Sequence, residues 1–199
     1  MDNGIPNIMD KPILPKTFDE KYDFLRRVFG HTDEANNIIN FMIEGEFLQA
    51  PASTVYHGNY DGGLFEHCFY VGWTLQMYTE LLGLEWENPR SPWLVGMLHD
   101  LCKIDSYKKV ITYWDEDGGN KDHAWEKSTD CIIKGHGEKS LIYALQHIRL
   151  TEEEIACIRY HMGAYNTNEW EYYDRAIKKY PNVLYTHTAD MHASKVYGV

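Results

Sequence analysis

The chain has 199 residues, 44% hydrophobic and 25% charged, with 15 Gly and 7 Pro, a balance that excludes disorder, collagen and a coiled coil and can bury one core without disulfides. Lys and Arg number 19 against 30 Asp and Glu, and the net charge of −11 repels long nucleic acid and anionic membranes while leaving room for a small anion held at a metal. The sequence has no apolar run of about eighteen residues and no signal-peptide pattern at its start, and Cys68, Cys102, Cys131 and Cys157 form no C-x-x-C pair, so a cytoplasmic protein with reduced thiols is expected.

Residues 1–16 hold three prolines and no helical period, and read as an arm laid across a single domain spanning 17–199. Phe18, Tyr22, Leu25 and Phe29 form a 3.6-residue stripe, and Ile38, Ile39, Phe41 and Met42 continue it in a second helix after Gly30. The segment GEFLQAPASTVYHGNYDGG is a loop by its Pro, Ser, Asn and Gly content, and a long helix runs from Leu64 to about Leu84. Ser91 and Pro92 start a helix expected to continue through His99 and Asp100 to Ile104. Residues between Lys108 and Ile133 alternate weakly around DEDGGNKD, as a short hairpin or flap would. Helices resume at about Gly137 to Ile148, then after a Thr151/Glu154 capping box, then over Glu169 to Lys179 and Val183 to Tyr197. The expectation is an all-α bundle with at most one small β-hairpin.

Ten histidines stand out, and the sharpest element is the pair His99-Asp100. Adjacent helical residues point about 100° apart, so both can reach one cation lying beside the helix. Imidazole and carboxylate together suit Mn, Fe, Co, Ni or Zn, and Mg less well as histidines accumulate. Four further candidate ligands come from four separate helical segments: His67 in GGLFEHC, His136 in GHGEKS, His161 in RYHMG and Asp190 in HTADMH.

In this ordered series the sequence resembles the HD-domain metal-dependent phosphohydrolase superfamily, whose signature is His, then His-Asp, then one or more His, then Asp. The likeness covers about Ala50 to Tyr197 and includes the flanking words HGNYDGGLFEH, GMLHDLCK and HTAD. It implies that His67, His99, Asp100 and Asp190 hold a first divalent ion, and that Asp100 bridges to a second held by His136 and His161. It implies hydrolysis of a phosphoester, in which the metal activates a water for attack and offsets charge on the leaving oxygen. Lys103, four residues after His99, stands where the family often has a lysine that meets the phosphate; the family usually has Gly before it, and here Cys102 stands there and reads as a packing residue.

His57 resembles the histidine before the GGL word in an HD group that includes some bacterial 3′–5′ exoribonucleases, which implies contact with substrate or with the ligands. Those nucleases carry an added nucleic-acid-binding domain for which this sequence shows no room, so a nucleotide or similar small phosphorylated molecule is the expected substrate. Loops such as Asp115 to Lys121 would discriminate among such substrates. His187, three residues before Asp190, would brace a ligand; His192 would face away, His147 would stand too far along its helix to join the site, and His31 and His123 would be solvent-exposed. Lys108 and Lys109 would bind further phosphates or sit solvated at a helix end. Tyr165, Trp170, Tyr172 and Tyr173 would stack a base or pack. Glu66 and Glu138 would orient imidazoles or point to water. Two rival functions stay open: a diiron oxygenase using the same ligand set, and a nucleotide-binding module without turnover.

Overall fold

A computed structural model describes residues 12–114, 120–163 and 169–199 of the chain. The first eleven residues of the N-terminal arm, most of the Asp115 to Lys121 loop and Tyr165 lie outside the described residues. Leu14, from the described part of the arm, packs against the core.

Side-chain caps set several helix starts. Thr17 and Glu20 form a reciprocal capping box on α1 (Phe18–Phe29), and Thr32 caps α2 (Asp33–Glu44). The expected second box, Thr151 with Glu154, starts α6 (Glu152–Tyr160). The other helices are α3 (Gly63–Leu82), α4 (Ser91–Leu98), α5 (His136–Leu145), α7 (Trp170–Lys179) and α8 (Asn182–His192), so the fold is all-α with one small hairpin.

The middle of the bundle is α3, which is buried around most of its circumference through Leu64, Phe65, Cys68, Phe69, Val71 and Leu75 and packs between α4 and α8. Its crossing with α4 is set by Gly72 and Gly96: a Cβ on Gly96 would overlap the Gly72 backbone, so only glycine permits this approach. The close crossing brings the residues flanking it, His67 and His99, to one place. On the other side, buried carboxylates tie α6 to its neighbours. Glu154 accepts from the Ser91 hydroxyl at 2.7 Å, and Glu153 accepts from the Asn182 amide at 2.8 Å and the Glu87 N–H at 2.9 Å.

The helix expected to run to Ile104 ends at Leu98. His99 Nδ1–H donates to the Gly96 carbonyl at 2.8 Å, satisfying one of the acceptors a helix end leaves open, and Asp100 departs from helical geometry at φ −109°, ψ 21°. A 3₁₀ turn follows over Leu101–Asp105. The last helix is likewise shorter than expected: α8 closes at His192 and a π turn, Ala193–Tyr197, completes the segment.

The expected hairpin is present as β1 (Tyr107–Trp114) antiparallel to β2 (Asn120–Lys127). Tyr107 lies opposite Lys127, Lys109 opposite Trp125, and Ile111 opposite His123. Lys108 and Lys109 thus stand in a strand rather than at a helix end. Among the described residues no helix is long and apolar enough to cross a membrane. The four cysteines are free, with Cys68, Cys102 and Cys157 buried as core thiols.

Candidate metal centre

Helix ends supply most of the site. His99 follows the last residue of α4, His161 follows the last residue of α6, and His136 opens α5, while His67 lies early in α3 and Asp190 late in α8. The two histidines that follow helices are anchored alike. Each ring gives its Nδ1–H to the carbonyl three residues back, His99 to Gly96 and His161 to Ile158, both at 2.8 Å. His67 Nδ1–H donates to the Val199 carbonyl at 3.0 Å. In all three rings a proton is therefore engaged on Nδ1, and Nε2 is the nitrogen turned into the site.

Those nitrogens converge. His67 Nε2 lies 3.2 Å from His99 Nε2 and 3.2 Å from an Asp190 carboxylate oxygen, and both rings lie 3.5 Å from Asp100 Oδ2. Burial pushes the His99 imidazole down to about 3, so His99 brings no proton to the His67–His99 contact. Both rings have Nδ1 engaged elsewhere, and an Nε2–Nε2 separation of 3.2 Å is one that two ligands of a single cation adopt. Ligands about 2.1 Å from a metal, at tetrahedral or octahedral angles, lie about 3.0–3.4 Å apart, close to the spacings found here. His67, His99 and Asp190 could thus hold a metal ion.

Asp100 also faces a second pair of rings. Its Oδ1 lies 3.5 Å from His136 Nδ1 and 3.7 Å from His161 Nε2. Among the described residues three buried side-chain polar atoms lack a hydrogen-bond partner, and two of them, Asp100 Oδ1 and His161 Nε2, face each other at this point. Cys102 joins Asp100 and His136 in a second donor group. Burial raises the Cys102 thiol to about 12, which keeps it neutral, and Ser140 accepts the Cys102 backbone N–H at 3.1 Å; packing, as expected, accounts for the residue.

Lys103 corrects its expected placement. It does not reach one turn along from His99; the 3₁₀ turn folds it back so that Nζ meets Asp100 Oδ2 at 2.6 Å. Burial works against charge on both partners, but their mutual attraction outweighs it: the Asp100 carboxyl is held well below the usual carboxylate range and the Lys103 ammonium is stabilised. His57, on the loop before α3, sets its ring 5.1 Å from that of His67, and burial lowers it to about 4.

Asp100, Asp190, His136, Lys103 and His57 line a cleft of about 380 Å³, with His67, His99 and His161 buried behind it. Its walls carry Val55 and Tyr56 from the loop before α3, Met162 and His187, Tyr107 and Lys127 from the base of the hairpin, and Met191, Ser194 and Lys195 from the end of the chain.

His187 does not touch Asp190; it braces the site from behind, its Nδ1–H donating to the His161 carbonyl at 2.8 Å. Gly163 lets that ring approach, since a Cβ there would lie 2.7 Å from it and φ is +58°. Glu66 accepts from the Tyr60 hydroxyl and Glu138 pairs with Arg159, so neither orients an imidazole. His147 stacks on Phe41 and His192 bonds the Tyr78 hydroxyl, both away from the cluster. His123 is half-buried rather than solvated, its Nε2 2.8 Å from Asp61. Tyr173 packs in the core while Trp170 and Tyr172 are exposed outside the cleft. The cleft lysines Lys127 and Lys195 escape a sequence reading because each is a single lysine with no basic residue beside it, and only the fold brings them to one cleft.

Comparison of the chain with family profiles, with curated proteins and with solved structures finds no match. The site is therefore read from its own geometry: a helical bundle whose buried His and Asp side chains could hold a metal ion.

Proposed function

We propose that the chain is an HD-domain metal-dependent phosphohydrolase that cleaves a phosphoester of a nucleotide or similar small phosphorylated substrate. The observation that carries this reading is the division of the Asp100 carboxylate, with Oδ2 flanked by His67 and His99 and Oδ1 by His136 and His161. His67, His99 and Asp190 would hold one divalent ion with Asp100, and His136 and His161 a second that shares Asp100. Ions of Mn, Fe, Co, Ni, Zn or Mg bound there supply Lewis-acid pull on a phosphoryl oxygen and lower the pKa of water.

The chain's own residues do the rest. Backbone carbonyls behind His67, His99 and His161 lock their tautomers and aim Nε2 inward before any ligand arrives. Lys103 keeps Asp100 ionised and opens onto the cleft, where its ammonium attracts a phosphate oxygen. His57, kept neutral on the cleft wall, offers one hydrogen bond to the substrate. The net charge of −11 favours a small substrate over a long nucleic acid.

Elemental analysis of the purified protein, followed by phosphate release from a nucleotide panel with Mn, Mg, Co and Ni, tests the reading. One or two ions per chain with metal-dependent release is expected. Two irons with oxygen consumption and no release would replace it with the oxygenase, and tight nucleotide binding with no metal and no product would replace it with a binding module.

A further inference from the structure

Resting on that reading, we infer that the cleft contains a second anion subsite, built by Lys127 and Lys195 with the Tyr107 hydroxyl, and that the substrate is a nucleotide carrying a phosphate beyond the scissile one. The chain has 30 acidic residues against 19 basic ones, yet among the described residues the only carboxylates lining the cleft are the candidate ligands Asp100 and Asp190. Three lysines among the described residues line it as well. Lys103 is paired with Asp100, whereas Lys127 and Lys195 have no ion-pair partner among the described residues. Two free ammonium groups in the wall of a cleft whose floor would bind one phosphoryl group call for a ligand with a second negative charge.

The fold places both lysines deliberately. Lys127 faces Tyr107 directly across the β-ladder, and residues opposite each other project on the same face of a hairpin. Two and four residues along that face stand Lys109, Trp125 and His123, and all three grip Asp61: His123 Nε2 at 2.8 Å, Trp125 Nε1–H at 2.7 Å and Lys109 Nζ at 3.7 Å. Asp61 belongs to the loop that carries His57, Val55 and Tyr56 along the cleft. Gripped there, the hairpin turns its base, Tyr107 and Lys127, into the cleft wall. Lys195 arrives from the other end. In a straight α-helix Ser194 would continue the row of Asp190 and Lys195 would lie beyond it; the wider i→i+5 winding of the π turn swings Lys195 in, and all three line the cleft. Val55, Tyr56, Met162 and Met191 give the space between floor and lysines an apolar wall suited to a base and sugar. Lys108 and Lys109, the lysines the sequence suggested for extra phosphates, are not in the cleft lining.

Calorimetric binding of AMP, ADP and adenosine 3′,5′-bisphosphate to the metal-loaded protein tests the subsite without requiring turnover. At least one two-phosphate nucleotide should bind about tenfold more tightly than AMP, and Lys127→Gln or Lys195→Gln should each cut that advantage by about threefold, the worth of one partly exposed charge contact. Lys108→Gln makes the same charge change on the opposite face of the hairpin and should keep the advantage. Equal binding of all three nucleotides, or an advantage that survives the Lys127→Gln/Lys195→Gln double variant, would overturn the subsite. Metal-dependent phosphate release with no such advantage would leave the hydrolase standing and remove the subsite. A lysine-dependent advantage with no release in any metal would keep the subsite and remove the hydrolase.

Discussion

A carboxylate sealed from water costs several kcal/mol unless positive charge and donors surround it. Asp100 is 3% exposed and has one firm partner, the Lys103 ammonium at Oδ2, while Oδ1 makes no close hydrogen bond and has His136 Nδ1 only at 3.5 Å. A buried acceptor left open in this way, beside the equally unsatisfied His161 Nε2, is tolerated where something positive completes it. Asp100→Asn keeps the shape and removes the charge. Bound metal should fall to less than about a tenth of the wild-type content, and urea unfolding in excess chelator should show a further loss of about 3 kcal/mol, because Lys103 is left buried without its counter-charge. Full metal content in Asp100→Asn would remove Asp100 from the site. The residue types of the cluster are legible from sequence because His-Asp chemistry narrows the choice of ligand. The tautomers are not: the His67 proton is assigned by a carbonyl 132 residues away, at Val199.

Helices position the donors through their ends and crossings, and this scale is read from sequence only in part. The α1 stripe, the Thr151/Glu154 box and the hairpin follow from local period and capping, which depend on neighbours a few residues apart. The stop at Leu98 does not follow, since the apolar pattern runs on through Leu101 and Ile104; a histidine side chain turning back on Gly96 ends the helix. The role of Gly96 is equally hidden, because it depends on Gly72 of another helix. Gly96→Ala should raise intrinsic helix propensity yet destabilise the protein by about 2–3 kcal/mol, as overpacking of a close crossing does, with reduced metal occupancy as His67 and His99 are pushed apart. An unchanged urea midpoint and metal content in Gly96→Ala would show that the α3–α4 approach does not govern the site.

Across the whole molecule, the candidate ligands are spread from His67 to Asp190 and sit on α3, α5, α8 and the turns that end α4 and α6. Only tertiary packing brings them together, so a cation shared among them crosslinks segments more than a hundred residues apart, in the manner of a disulfide closing a long loop. The His67 and His99 Nε2 atoms lie 3.2 Å apart and Asp100 Oδ1 and His161 Nε2 lack hydrogen bonds, so an ion bound among them completes groups that the fold by itself leaves open. An ion present at about a hundred times its dissociation constant stabilises the folded state by about 2.7 kcal/mol. For a chain of this size each kcal/mol moves the midpoint by about 2–4 °C, so removal of metal by a chelator should lower Tm by roughly 5–10 °C. Re-addition of Mn or Co should restore it, whereas Asp100→Asn should show neither the drop nor the recovery. A Tm that ignores the chelator in protein shown by elemental analysis to contain metal would mean that the ion lies elsewhere and that the bundle closes around these imidazoles for packing alone.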